Sequence, residues 1–282
     1  MQNKAPDWVM WVMRAGYGAR GVVYLIVGAL ALAAVWWGGQ AQGTKNAVAD
    51  LKALWFGDAL LVLIGLGLVA YMVWRLIDAA MDLEAYGHDA EGIAARCGQV
   101  ITGLLHGAIG ISIAAMAFGG DSGQGESGVE TWTAKVMALP YGGWIVMAAG
   151  AGVIGAGIYY AQKGLRETYK RDIRVTETAR KLEWVIKTGY VAEGVVVAII
   201  GGFLFYAGVR ADPDQAGGVG QALGWVRGQS YGGILFAMLA VGLLCFSVTN
   251  FAQAAFRVVP RHDGDDVETL ADKARAEVAK HT

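Results

Sequence analysis

The stretch Arg14-Ala-Gly-Tyr-Gly-Ala-Arg-Gly-Val-Val-Tyr-Leu-Ile-Val-Gly28 decides the fold, because the chain contains its pattern three times. It returns as Arg96-Cys-Gly-Gln-Val-Ile-Thr-Gly-Leu-Leu-His-Gly-Ala-Ile-Gly110 and as Lys187-Thr-Gly-Tyr-Val-Ala-Glu-Gly-Val-Val-Val-Ala-Ile-Ile-Gly201. A base opens each copy, and glycines follow two, seven and fourteen residues later. Residues seven apart share one face of a helix, so each copy offers a flat strip on which a neighbouring helix can pack closely.

Each copy continues into an apolar run long enough to cross a bilayer, which takes about 20 residues. Six such runs are predicted: Tyr17–Trp37, Ala59–Ala80, Val100–Phe118, Gly143–Ala161, Tyr190–Val209 and Gly233–Ala254. Composition agrees, with 55% of residues apolar and only 17% charged. The charges collect between the runs, as the cost of an ionisable group at the centre of a membrane demands. The even-numbered runs echo one another more weakly. Gly57, Gly65 and Gly67 match Gly142, Gly150 and Gly152, and the third copy keeps Gly232 and Gly242 with Ala240 between them. Apolar residues before these glycines (Leu51 and Leu54, Val136 and Leu139, Val226) predict a short amphipathic helix ahead of each even-numbered run.

The expected fold class is all-α: a polytopic membrane protein whose six helices form three parallel two-helix repeats around a pseudo-threefold axis. The repeats take residues 1–83, 84–170 and 171–260, and a tail follows over 261–282. In the tail Val267, Leu270, Ala274 and Val278 make a short helical stripe. Five of the 23 basic residues (Lys45, Lys52, Lys135, Arg210 and Arg227) fall on one side of the runs and the other 18 on the side of the termini. The positive-inside rule then puts both termini in the cytoplasm. Trp36, Trp37, Trp55, Trp132, Trp144 and Trp225 are expected at the outer interface, and Trp8, Trp11, Trp74 and Trp184 at the inner one. Cys97 and Cys245 read as small buried apolar side chains.

The polar groups inside the runs are the candidate site. Arg20, Thr102 and Glu193 occupy one repeat position, and Tyr24, His106, Tyr190, Tyr17 and Gln99 share their helix faces. Arg20 and Glu193 are placed to meet across the axis, either as a structural ion pair or as the lining of a path. A second set, Arg75, Asp78, Lys163 and Glu167, marks the cytoplasmic ends of even-numbered helices; Arg75 with Asp78 and Lys163 with Glu167 have helical pair spacing. His106 has no second metal ligand near it, so no metal or cofactor is expected. A net charge of −1 gives no nucleic-acid character. No nucleophile stands beside a base at a recognisable spacing, so no enzyme is expected.

Arg14 to Gly28, the matching stretches from Arg96 and Lys187, and Gly65-Leu-Gly67 with Tyr71 resemble an uncharacterised bacterial family of six-helix membrane proteins with three copies of a two-helix domain of unknown function. The resemblance covers nearly all of the chain before Arg261. It implies a six-helix fold in the bacterial inner membrane and brings no activity. The function that remains is a non-enzymatic component of the bilayer, a scaffold or accessory protein that binds lipids or a membrane-protein partner. The alternative is a small transporter or channel with a polar path lined by Arg20, Thr102 and Glu193. The proline-kinked signature of mitochondrial carriers, which share the three-pair layout, is missing, and the six runs contain no proline.

Overall fold

Inside a bilayer no water is available to backbone N–H and C=O groups, so an apolar run must close its own hydrogen bonds as an α-helix. In the computed structural model, which describes residues 6–37, 52, 55–119, 127–174 and 176–259, six helices are long and apolar enough to cross a membrane. They are α1 (Asp7–Trp37), α2 (Gly57–Met81), α3 (Ala90–Ala117), α5 (Gly142–Leu165), α7 (Glu183–Arg210) and α9 (Gly232–Phe256). Shorter helices α4 (Ser127–Met137), α6 (Glu177–Lys181) and α8 (Val219–Arg227) lie between them. The chain is a multi-pass membrane protein. Leu66, Ile111 and Met238, all exposed on the outside of the bundle, face the lipid.

α1, α3 and α7 start well before their apolar runs. In α3 the extra turns begin at Asp89, whose side chain accepts the Gly92 N–H at 2.9 Å and caps the helix. Hydropathy marks where lipid starts; the cap marks where the helix starts. α4 and α8 are the short helices expected ahead of α5 and α9, and Gln221 on α8 donates to Glu130 on α4 at 3.2 Å. Their expected counterpart around Leu51 and Leu54, and the tail stripe from Val267 to Val278, lie outside the described residues.

The repeated glycines set the packing. On α1, Gly21 and Gly28 face Phe251 and Leu244 of α9; on α3, Gly103 and Gly110 face Arg75 and Gly65 of α2; on α7, Gly194 and Gly201 face Gly157 and Ile154 of α5. The second and third glycines on the first helix of each unit therefore rest on the second helix of a different unit. Two seams are glycine on glycine: a methyl group added at Gly110 would lie 2.7 Å from Gly65 O, and one at Gly194 would lie 2.6 Å from Gly157 O.

Within a unit the packing is unequal. α1 packs on α2 and α7 packs on α9, but α3 does not pack along α5. The helices thus follow one another as α3, α2, α1, α9, α7, α5, in an arc whose two ends do not meet. The second unit departs from a threefold arrangement for a reason written at three aligned positions. In the first unit Gly67 faces Ala19, and in the third Gly242 faces Ala192; in the second the corresponding Gly152 has open space, and Ile101 stands where the other units have alanine. Gly16 meets Tyr71 and Gly189 meets Phe246, whereas Gly98 meets nothing. The residue aligned with Tyr71 and Phe246 is Ala156. A branched side chain in place of alanine, and a methyl in place of two aromatic rings, leave the seam of the second unit as a cleft.

Two expectations need correction. Trp74 is not at an interface: it is 0% exposed, packed with Val9, Met10, Met13 and Tyr17. Its place on α2 faces α1, whose extension beyond the apolar run covers it. Cys97 is exposed, one position from the Gly98 strip and off the buried face of α3; Cys245 is half-buried.

Candidate polar cavity and lateral cleft

The half of the bundle away from the termini is filled by one apolar core, including Val23, Val27, Leu61, Leu68, Ile113 and Leu243. The half nearer the termini, the terminal half, contains a cavity of about 660 Å³ to which all six long helices contribute. Gly98 and Thr102 of α3 flank it on one side, and Gly152, Gly155 and Ala156 of α5 on the other. Gly98, Gly152 and Gly155 have no heavy atom within 4 Å of where a Cβ would stand. The cavity therefore reaches sideways through the cleft between α3 and α5, and toward the termini as far as the loop that carries Glu84 and Tyr86.

Three aromatic residues hold Arg20 at the cavity wall. Its Nη1 donates to the Tyr71 hydroxyl at 3.0 Å. Its guanidinium lies 4.7 Å from the Tyr71 ring centre, and 5.6 Å from those of Tyr24 and Phe246. These are cation–π distances. Arg20 and Glu193, expected to meet, do not pair directly. Tyr24 stands between them: its hydroxyl donates to Glu193 Oε1 at 2.5 Å. The residues are one helical turn apart on α1, so Tyr24 intercepts the carboxylate of α7 before Arg20 can reach it. Thr102 lines the cavity, and its carbonyl bonds His106 Nδ1 at 2.8 Å. The His106 ring sits edge-on against Tyr71, with 5.1 Å between ring centres. Tyr190 stacks between Tyr160 and Tyr169, and its hydroxyl accepts from Gln253 at 2.8 Å.

The charges at the helix ends form a separate layer. Arg75 reaches Asp78 at 3.1 Å and also donates to Tyr71 at 3.0 Å, so one tyrosine hydroxyl receives two guanidinium groups. Asp78 also accepts from Gln99 at 2.7 Å. Lys163 does not pair with Glu167. α5 ends at Leu165, and Glu167 has a left-handed backbone (φ 58°) that turns it away. Lys163 pairs instead with Asp172, and Glu167 pairs with Lys170 at 2.7 Å and Lys187 at 3.3 Å. Hydrogen bonds from Lys170 and Lys187 hold the Glu167 carboxyl below its ordinary range.

The residue that sequence reasoning missed is Glu84. It lies in the loop after α2 and ion-pairs with Arg75 at 3.3 Å and with Arg257, just past α9. Burial alone would raise its pKa; Arg257 and Arg75 together outweigh that and hold it below the ordinary carboxylate range. Nothing local marked it, since it stands at no helical spacing from either partner. Ala156 was legible: aligning Tyr71 and Phe246 through the repeats lands on it.

The chain matches the family described as Domain of Unknown Function (DUF1206) three times, over residues 15–82, 97–167 and 188–257. It is similar to an uncharacterized protein of Bacillus subtilis (strain 168), YxxB, with 29% identity over 253 residues, covering 88% of this chain and 91% of that one. No solved structure matches it. The chain belongs to the DUF1206 family and carries three copies of its domain.

Proposed function

We propose that this DUF1206 protein is a non-enzymatic binding component of the bacterial plasma membrane that takes up an amphiphile from the bilayer. The observation that supports this reading is the cleft between α3 and α5. It opens sideways among lipid-facing helices and leads to a cavity lined by charged and aromatic groups. An amphiphile matches both parts, its chains lying in a smooth glycine-walled slot and its polar end among side chains able to satisfy it. The concentration of basic residues beside the termini supports an orientation with that end of the bundle in the cytoplasm.

A scaffold or accessory role fits the same site, because bound lipid and exposed helix faces can together carry a membrane-protein partner. The transporter reading is less well supported. The apolar core around Val27, Leu61 and Leu243 stands between the cavity and the far face, so a permeant requires those side chains to part.

The test restores the missing ring. Ala156→Phe places at the open seam the kind of side chain that the first and third units have there. Protein purified from its own membranes in mild detergent is expected to carry amphiphile in stoichiometric amount, seen by mass spectrometry of the extract. The variant should retain roughly a tenth or less, with an unchanged elution profile, as filling a preformed pocket predicts. Equal amounts in both proteins, or a stoichiometric protein partner with no amphiphile, would overturn the reading.

A further inference from the structure

Resting on that amphiphile reading, we propose that the polar end bound in the cavity is an oxyanion, a phosphate ester of the kind lipids carry, and that Arg20 is its anchor. The buried acids around the cavity have partners: Glu84 has Arg75 and Arg257, Asp172 has Lys163, and Glu193 has the Tyr24 hydroxyl, while Glu91 in the lining is exposed. Asp78 shares one oxygen between Arg75 and Gln99. Arg20 differs. It is 3% exposed, and among the described residues no carboxylate lies within ion-pair distance of it. Its Nε has no acceptor. Arg257, 4% exposed and lining the same cavity, also has an Nε without an acceptor.

A buried donor left unmade carries its full desolvation cost. Two guanidinium groups in the lining of one cavity, each with an Nε–H that has no acceptor, are the donor type that planar oxyanion recognition uses. Gln99 adds the complementary half. It gives its amide N–H to Asp78, and its Oε1, also buried, has no donor. A phosphate ester bearing a hydroxyl, such as a glycerol phosphate head, satisfies Arg20, Arg257 and Gln99 together. A cation finds Glu84 and Glu193 already engaged, and the one open oxygen of Asp78, Oδ1, belongs to a carboxylate that Arg75 already neutralises. Alkyl chains on such a head leave through the cleft past Gly98, Gly152 and Gly155.

Binding to the purified full-length protein tests this with three probes: dioctanoyl phosphatidylglycerol, dioctanoylglycerol, which has the same chains and no phosphate, and inorganic phosphate alone. The phosphatidylglycerol is expected to bind about ten-fold or more tightly than dioctanoylglycerol, the scale of one charged hydrogen bond. Arg20→Gln should abolish that preference and Arg20→Lys should keep part of it. Ala156→Phe should weaken both lipids alike. Equal binding of the two lipids by the unaltered protein overturns the oxyanion assignment, leaves the amphiphile reading standing, and needs no variant to fold. A preference that survives Arg20→Gln overturns Arg20 as the anchor. Inorganic phosphate bound as tightly as the lipid, with Ala156→Phe inert, overturns the lipid source of the anion. If neither lipid binds, the amphiphile reading itself fails.

Discussion

Leucine in place of Gly157 is expected to leave little folded protein to purify. Gly157 of α5 sits against Gly194 and Ala198 of α7, and a Cβ there would stand 2.6 Å from both Gly194 O and Ala198 N. Those are backbone atoms, so relief requires the helices to separate. Separation also strips Gly150 from Phe205 and Gly201 from Ile154 along the same seam. Overpacking a tight core costs about 1–3 kcal/mol and occasionally more. Here the cost falls on the seam that holds α5, which has no support from α3. Gly155→Leu, two residues away, is the matched comparison. Gly155 faces open space in the cleft, so its leucine should leave the melting temperature of detergent-purified protein near that of the parent. Size-exclusion profiles after heating distinguish the two. A Gly157→Leu protein that melts with the parent would falsify the account of this seam.

Glu84→Gln is expected to cost about 3 kcal/mol or more, the usual penalty for removing one member of a buried ion pair. The change keeps shape and removes charge, leaving Arg75 and Arg257 facing each other's charge with Asp78 as the remaining acid. It also releases the loop after α2 from the end of α9, which Arg174 N–H to Phe256 O and Val258 N–H to Asp172 O fasten to the next loop. Acid should tell the same story. Glu84 is held below its ordinary value of 4.5, so its stabilisation is complete above that pH and is lost as pH falls toward the lower folded value. The parent should therefore lose stability on acidification below about pH 5 more steeply than Glu84→Gln, which has no such proton to bind. Parallel slopes would show that Glu84 carries no such linkage. The exposed Glu177–Lys181 pair is the control: solvent screens it, and Glu177→Gln should change little.

The six helices and their threefold repetition were legible because both are written in single residues at fixed spacing. Apolar runs announce spans, and glycines seven apart announce close faces. Which helix each face meets was not legible, because a glycine strip is the same strip whatever lies on it. Gly98 carried the same signature as Gly16 and Gly189, yet only it faces open space. Its partner had to be read on another helix, at Ala156. In the polar cluster the members were identifiable and their pairing was not. Arg20 and Glu193 suggested each other by charge, but the hydroxyl of Tyr24 is nearer the carboxylate. Lys163 and Glu167 suggested each other by spacing, but the helix ends between them. Glu84 acts through a loop that folds back beneath the bundle, and no periodicity reports a loop's return.

The open seam lies inside a single hairpin, and this orders the events of synthesis. A chain made from its N-terminus delivers α1 and α2 first, and these can pair at once. When α3 arrives, α2 is already there to receive its glycine strip. α5 then emerges with no surface on α3 to lean against, and its own partner, α7, is still to be made. For that interval it is the orphan of the growing protein, an apolar, glycine-rich span in lipid.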